Sequence, residues 1–198
     1  MLKKFVLGTI AAVVLAACGG EGSNSASSAP AQSGAASGSL IERINNKGTI
    51  TVGTEGTYAP FTYHDKDGKL TGYDVEVTRA VADKLGVKVE FKETQWDSMM
   101  AGLKAGRFDV VANQVGLTSP ERQATFDKSE PYSWSGAVLV ARKDSNIKSI
   151  DDIKGVKTAQ SLTSNYGEKA KAAGADLVAV DGLAQSLTLI EQKRADAT

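Results

Sequence analysis

The sequence has few of the residues that build covalent and metal-bound frameworks. Its 198 residues include one cysteine, Cys18, and one histidine, His64. Because a disulfide needs two cysteines and a structural zinc site needs about four Cys or His ligands, these 198 residues can build neither. Lysine and arginine number 23, as do aspartate and glutamate, so no excess of positive charge favours capture of DNA or RNA. We expect no cofactor, no metal site and no nucleic-acid partner.

The N-terminal segment has the pattern of an export signal. Lys3 and Lys4 precede an uncharged run over 5–17, which at about 1.5 Å per residue is short for a membrane-spanning helix. The run ends in Leu15-Ala16-Ala17-Cys18, which resembles the bacterial lipobox, where the cysteine is lipidated and becomes the new N terminus. The alternative is a small-residue cleavage site that only happens to precede a cysteine. We expect a lipoprotein signal peptide over 1–17 and an acyl anchor such as palmitate on Cys18.

The next segment is of low complexity. Of the 21 residues over 19–39, 17 are glycine, serine or alanine. Such a composition buries too little apolar surface to order itself, and a flexible chain of this length reaches about 25 Å. We predict that 18–39 is a lipid-anchored flexible linker that holds a folded body clear of the membrane surface.

The remaining chain alternates between strand and helix patterns. Helices are predicted to carry inward-facing apolar rows, one of Val77, Val81 and Leu85 and another of Leu183, Leu187 and Ile190. The apolar run over 136–140 is typical of a buried strand. Strands separated by helices of this length predict right-handed crossovers and parallel sheets. Strands are predicted over 49–54, 87–91, 108–112, 136–140, 156–159 and 176–180, and helices over 40–47, 74–85, 95–105, 164–173 and 183–193.

One segment carries a family resemblance. Gly72-Tyr73-Asp74-Val75-Glu76-Val77, followed by Val81, Ala82 and Leu85, resembles the signature of the bacterial extracellular solute-binding proteins, family 3, the amino-acid receptors of ABC importers. The segments over 113–116 and 162–166 are most similar to the cystine-binding branch of that family. Further matches follow in the family's order at 53–61, 96–97, 106–109, 120–122, 126, 131–132 and 151–155.

The resemblance implies an α/β fold of the type II periplasmic-binding-protein kind, with two lobes and a hinge. Lobe 1 would span 40–132 and lobe 2 133–198, with lobe 2 incomplete and the carboxylate for the ligand ammonium expected beyond Thr198. It implies the substrate-binding component of an amino-acid ABC transporter, which captures a polar amino acid, cystine favoured, for the permease and ATPase subunits. The protein would be lipid-anchored at the periplasmic or extracytoplasmic face of the cell envelope.

The resemblance also implies a set of ligand contacts. Tyr58 and Trp96 match aromatic residues that sandwich the ligand in relatives, although both could be ordinary core aromatics. Arg122 matches the carboxylate-binding arginine, since a guanidinium offers a planar fork that fits a carboxylate; otherwise it is a solvated charge on a helix surface. Relatives place a hydroxyl residue five positions earlier, where this chain has Leu117. The predicted ligand-binding residues are Glu55, Tyr58, Phe61, Trp96, Gln114, Gly116, Thr118, Arg122, Thr163 and Ser164.

Two other functions remain open on the same fold. Some relatives are dehydratases that act on prephenate-like acids, and Glu55 or Asp97 could then act as the general acid. The third reading is the ligand-sensing domain of a membrane receptor. We expect no enzymatic activity, and the residues leave the amino acid, the membrane leaflet and the oligomeric state open.

Overall fold

The computed structural model describes residues 38–198. The predicted signal peptide, lipidated Cys18 and nearly all of the predicted linker lie outside the described residues. No helix within 38–198 is long and apolar enough to cross a membrane. The helices and strands are α1 (Leu40–Lys47), β1 (Thr49–Thr54), β2 (Thr57–Tyr58), β3 (Thr62–His64), β4 (Leu70–Thr71), α2 (Tyr73–Leu85), β5 (Lys88–Glu93), α3 (Trp96–Lys104), β6 (Val110–Val111), α4 (Pro120–Thr125), β7 (Lys157–Gln160), α5 (Asn165–Ala172), β8 (Asp176–Ala179) and α6 (Leu183–Glu191).

The first lobe is built on a parallel sheet in the order β5-β1-β6. In the central strand, Val52 is fully buried and pairs with Phe91 on one side and Val110 on the other. Helices α1 and α2 cover this sheet through Ile44 and Ala82, which pack into the same cluster as Val52. The parallel sheet confirms the expectation drawn from alternating strands and helices.

A small antiparallel sheet, β2-β3-β4, adjoins the first lobe's parallel sheet. Its hairpin turns at Gly68, whose N–H donates to the carbonyl of Asp65. The loop before β3 contacts the start of α2. There, Tyr73 and Asp74 donate their N–H groups to the carbonyls of Pro60 and Phe61. The beginning of α2 is therefore fastened to this loop.

Gly72 makes that close approach possible. Its φ is 121°, and a Cβ there would overlap the carbonyl oxygen of Phe61. We expect Gly72→Ala to lower the free energy of unfolding by about 2 kcal/mol, because both the backbone conformation and the contact are unfavourable for alanine. Urea denaturation measures this. Gly68→Ala is the control, since its φ is 75° but its surroundings are open, and it should cost about 1 kcal/mol. Equal losses would contradict the overlap argument.

The second lobe is built on the parallel pair β7-β8. Helices α5 and α6 pack on it, with a core of Ala159, Val180, Leu189, Ile190 and Ala195. A 3-10 turn at Ile150–Ile153 precedes β7 and is capped by Ser149. The boundary between the lobes at 132/133 stays a prediction.

The predicted strand over 136–140 is wrong. This run is not in a sheet, and Val138 is 80% exposed. Among the described residues, only its last member finds backbone partners: Val140 exchanges N–H and carbonyl bonds with Thr198. The run is apolar enough to be buried. A strand also needs a hydrogen-bonded neighbouring strand along its length, and here the backbone pairing begins only at the last residue of the run.

Two predicted apolar faces are wrong in part, since Ile190 is buried as predicted but other members of the rows are exposed. In α2, Val81 is 50% and Leu85 38% exposed, while Val75, Thr78 and Ala82 are buried. Helix α2 is therefore rotated about its axis relative to the predicted orientation. The Asp74 carboxylate is buried in this orientation, because its hydrogen-bond partners lie on the core side. In α6, Leu187 is 44% exposed. Its neighbour Ser186 turns inward and donates its hydroxyl to the carbonyl of Ala159.

Candidate functional site

A cleft lies between the two lobes. Its cavity measures about 860 Å³ and is lined by residues of both lobes. Six of the ten predicted ligand-binding residues line it, whereas Gly116, Thr118, Arg122 and Thr163 do not. The polar or aromatic lining residues are Glu55, Tyr58, Phe61, Trp96, Asn113 and Gln114 from the first lobe and Ser135, Thr158, Gln160, Ser161, Ser164, Asn165, Tyr166, Lys169, Ser186 and Thr198 from the second.

Aromatic rings form part of the first-lobe wall. Tyr58 and Phe61 lie with ring centroids 5.1 Å apart at a tilt of 48°. Burial, followed by the neighbouring Tyr166, raises the pKa of the Tyr58 phenol. Trp96 is 9% exposed, and its buried indole N–H has no partner among the described residues. Trp96 therefore belongs both to the first-lobe core and to the cleft wall.

A carboxylate is held on the wall by an amide that sequence reasoning did not place in the site. Asn113 donates its Nδ2 to Glu55 Oε2 at 2.7 Å, and its Oδ1 accepts the Glu55 N–H at 2.9 Å. Burial raises the pKa of Glu55, although the bond from Asn113 works in the opposite direction. The segment over 113–116 could have signalled Asn113, since the resemblance already singled it out as a branch marker. The arrangement offers a fixed acceptor to an ammonium or hydroxyl group.

Arg122 is buried beside the cleft. Ser119 caps α4 and accepts the Arg122 N–H, which sets the arginine in the first turn. Its guanidinium donates Nη1 to the Gly116 carbonyl at 3.1 Å and Nη2 to the Thr163 carbonyl at 2.7 Å. The guanidinium also lies 5.4 Å from the ring centroid of Trp96.

This environment differs from that of a solvated helix charge. Arg122 is 8% exposed, and no acidic side chain within 38–198 lies at ion-pair distance from it. A guanidinium has five N–H donors, and two are bonded to carbonyl groups. The remaining N–H groups can donate to the carboxylate of a ligand. Whether Arg122 binds one stays a prediction.

Thr163 connects the lobes. It donates its N–H at 3.0 Å and its hydroxyl at 2.7 Å to Asp97 Oδ1, while its carbonyl accepts from Arg122. Leu162 adds a longer N–H bond to Asp97 Oδ2 at 3.4 Å. Thr163 is thus held on both sides by first-lobe side chains. Asp97, considered from the sequence only as a general acid, serves here as an acceptor between the lobes.

The other predicted contacts take different positions. Ser164 lines the cleft and caps α5: its hydroxyl accepts the Gly167 N–H at 2.9 Å and donates to the Ser161 carbonyl at 2.8 Å. Gly116 contributes the carbonyl that Arg122 holds, and Thr118 is exposed. Within 38–198 no group of three or more His, Cys, Asp or Glu residues could hold a metal ion.

Asp97→Asn is expected to shift the lobes away from the arrangement in which Asp97 binds Thr163. The amide replaces one acceptor oxygen with a donor and removes the charge that strengthens both Thr163 bonds. Because the contact is exposed, we expect only about 1 kcal/mol, or a roughly fivefold change in the closed-to-open ratio.

Small-angle X-ray scattering would measure this change as an increase in the radius of gyration. Asp67→Asn in the β3–β4 turn is the matched control, since that aspartate is exposed and lies outside the cleft lining. Superimposable scattering curves for Asp97→Asn and the unmodified protein would show that the Thr163 bonds do not hold the lobes together.

Known proteins are similar to this chain in sequence and in fold. The model of the bacterial extracellular solute-binding proteins, family 3, matches residues 50–195. The L-cystine-binding protein TcyA of Bacillus subtilis (strain 168) is 55% identical over 200 residues, covering 100% of this chain and 71% of TcyA. Of two other curated relatives, the chain spans only 63% and 49% of the length.

Solved structures of amino-acid-binding proteins are also similar to this chain. The ancestral amino acid-binding protein AncCDT-1, a precursor of cyclohexadienyl dehydratase, is 36% identical with a TM-score of 0.75, covering 80% of this chain and 72% of that one. The L-cystine solute receptor of Neisseria gonorrhoeae, in its unliganded open conformation, is 96% identical with a TM-score of 0.48, covering 81% of this chain and 68% of that one. The α/β fold is that of the type II periplasmic amino-acid-binding proteins. The family match over 50–195 and the identity to TcyA show that the chain belongs to the bacterial extracellular solute-binding proteins, family 3.

Proposed function

We propose that the protein is the substrate-binding component of an amino-acid ABC transporter, which captures a polar amino acid between its two lobes. The observation that carries this proposal is the buried Arg122 guanidinium, which has no acidic partner among the described residues and lies against a cleft-lining tryptophan. A ligand carboxylate would complete its bonds. The Glu55 carboxylate, which Asn113 holds on the cleft wall, suits the ammonium group of an amino acid.

Cystine is the ligand we favour. Relatives named as L-cystine-binding proteins include TcyA and a protein of Escherichia coli that is 44% identical over 131 residues. The segments over 113–116 and 162–166, which resemble that branch, contribute Asn113, Gln114, Ser164 and Tyr166 to the cleft lining. Cystine has an amino-acid group at each end, so contacts from both lobes suit it.

The cell envelope is the proposed location. The extracellular family supports a periplasmic or extracytoplasmic site of action, and Cys18 would anchor the protein to the membrane by acyl chains. The partners would be the permease and ATPase subunits of the importer, which receive the amino acid from the closed receptor.

The dehydratase alternative has less support. The Asp97 carboxylate accepts a hydrogen bond from Thr163, and the Glu55 carboxylate accepts one from Asn113. Both carboxylates are therefore already hydrogen-bonded within the protein. Two curated relatives, 62% and 55% identical, are named as binding proteins. Incubation with prephenate or arogenate, with the aromatic product followed by absorbance, would reveal an enzyme.

A thermal-shift screen against amino acids tests the proposed function. A ligand at about 100 times its dissociation constant adds about 2.7 kcal/mol to the free energy of unfolding. We expect L-cystine to raise the melting temperature most, and a reducing agent to abolish that shift by converting cystine to cysteine. The reductant is a clean control because the chain has a single cysteine and hence no internal disulfide to lose. The absence of a shift with every amino acid would contradict the proposal.

A further inference from the structure

A buried carboxylate stands at the beginning of α2. Asp74 is 1% exposed, and no cation within 38–198 pairs with it. Its Oδ2 accepts the N–H of Gln114 at 2.7 Å and its Oδ1 accepts the Gln114 Nε2 at 2.6 Å. Burying a charge without a counter-ion is unfavourable unless its hydrogen bonds are well satisfied. Each carboxylate oxygen therefore accepts a bond from Gln114, and the Tyr132 side chain is a further hydrogen-bond partner of the same carboxylate.

Gln114 has an unfavourable backbone conformation. Its φ is 51°, in the left-handed region that costs a side-chain-bearing residue about 1–2 kcal/mol. Glutamine has no short side chain that could stabilise this region by a local bond, so the conformation needs outside support. The two bonds to Asp74 supply it, one at the main chain and one at the side chain. Gln114 also lines the cleft.

The oxygen of the same Gln114 amide contacts the segment that leads to the second lobe. Ser133 donates its hydroxyl to Gln114 Oε1 at 3.0 Å. The preceding residue, Tyr132, is fastened to the same helix end, because Tyr73 donates its hydroxyl to the Tyr132 carbonyl at 2.8 Å. The Gln114 amide thus lies between the first helical turn of α2 and the connection between the lobes.

The main chain of Asp74 adds a further link. Its N–H donates to the carbonyl of Phe61, another cleft-lining residue, at 2.9 Å. A single residue therefore holds two parts of the cleft wall, one through its amide and one through its carboxylate.

We propose that Asp74 is a positioning residue for the cleft: its carboxylate holds Gln114 in the left-handed conformation, with the side-chain amide clamped between Asp74 and Ser133. The cleft wall and the connection between the lobes then form one rigid unit on the first lobe. This inference rests on the proposed function, since Gln114 is taken to contact the captured amino acid.

Asp74→Asn, Gln114→Gly and the double variant form the central experiment. Asparagine keeps the size of the side chain but places an NH2 group against one of the two Gln114 donors. Glycine accepts φ 51° without support and removes the clamped amide. We expect each single variant to weaken L-cystine binding, measured by calorimetry, about 10-fold or more. The double variant should bind no more weakly than Gln114→Gly alone, because Asp74 acts through Gln114.

Multiplicative losses in the double variant would overturn the proposal, since they would mean that Asp74 affects binding through general stability. Asp83→Asn is the matched control on the same helix, where the carboxyl is exposed. If Asp74→Asn does not fold, Ser133→Ala replaces it, and this variant should weaken binding a few-fold and lose that effect when combined with Gln114→Gly. An unchanged affinity in Ser133→Ala would count against the clamp.

A ligand-free measurement separates this inference from the proposed function. In protein labelled with ¹⁵N-glutamine, the Gln114 side-chain signal is assigned by its loss in Gln114→Gly. We expect it to be displaced from the random-coil position and to move towards that position in Asp74→Asn. An unmoved signal would overturn the role of Asp74. If no amino acid binds, the proposed function fails while the signal still reports on the clamp.

Discussion

Replacing Arg122 with alanine is expected to weaken amino-acid binding by about 2–5 kcal/mol, or about 30-fold at the least. The size of the effect follows from burial: Arg122 is 8% exposed and has no acidic partner among the described residues. A carboxylate brought into such a site and then left without its cation loses both water and its ion pair. The variant also deprives the Thr163 carbonyl of the bond that reaches it from the first lobe.

Arg122→Lys should recover little of the lost affinity. The guanidinium bonds two carbonyls, of Gly116 and Thr163, and still has donors for a carboxylate. An ammonium is a point charge on a flexible chain and cannot reproduce that planar geometry. Isothermal titration calorimetry with L-cystine measures both variants.

Arg43→Ala serves as the control for the loss of a positive charge. Arg43 is exposed on α1 and lies outside the cleft lining, so its removal should leave the affinity unchanged. Circular dichroism during urea unfolding shows whether Arg122→Ala still folds. A folded Arg122→Ala protein with the affinity of the unmodified protein would mean that Arg122 only supports the Gly116 and Thr163 carbonyls.

Replacing Cys18 with serine is expected to move the protein from the membrane fraction to the soluble fraction. Membrane anchoring by lipidation depends on buried acyl chains, at about 0.8 kcal/mol per CH2 group, and serine offers no thiol for their attachment. The segment over 19–39 separates this residue from the folded part with 17 glycine, serine or alanine residues. We therefore expect the free energy of unfolding to change by less than about 0.5 kcal/mol.

Fractionation of cells by ultracentrifugation, with immunoblotting of both fractions, measures the location. The unmodified protein is the control, because Cys18 is the only cysteine in the sequence. Cys18→Ser protein that still pellets with membranes would contradict the lipoprotein proposal without affecting the cleft.

Local sequence was sufficient for most element boundaries. Ser39 and Glu42 form a capping box at the start of the predicted helix over 40–47, and Gly86 ends α2 in the left-handed conformation. Ser119 and Pro120 begin α4 in the same local way. These features depend on residues within one helical turn of each other, so the helix ends can be predicted from the local sequence alone.

Burial was less predictable than the elements themselves. The row of Val77, Val81 and Leu85 has helical spacing, yet Val81 is 50% exposed. The spacing of apolar residues predicts a helix. It does not predict which face of the helix is buried when polar side chains have hydrogen-bond partners in the core. In α2 the buried Asp74 binds Gln114, 40 residues later in the chain.

The sequence by itself predicted an export signal, which stays a prediction, and it determined the alternating α/β elements and, through the family resemblance, the residues expected around the cleft. Only the tertiary structure showed that Asp97 binds Thr163, 66 residues away, that Asn113 holds Glu55 across 58 residues, and that Arg122 is buried. The reason is physical: caps and turns are satisfied by neighbours along the chain, whereas a buried or interlobe polar group needs a partner from another element. Which partner it finds depends on how the elements pack, and spacing along the sequence does not contain that information.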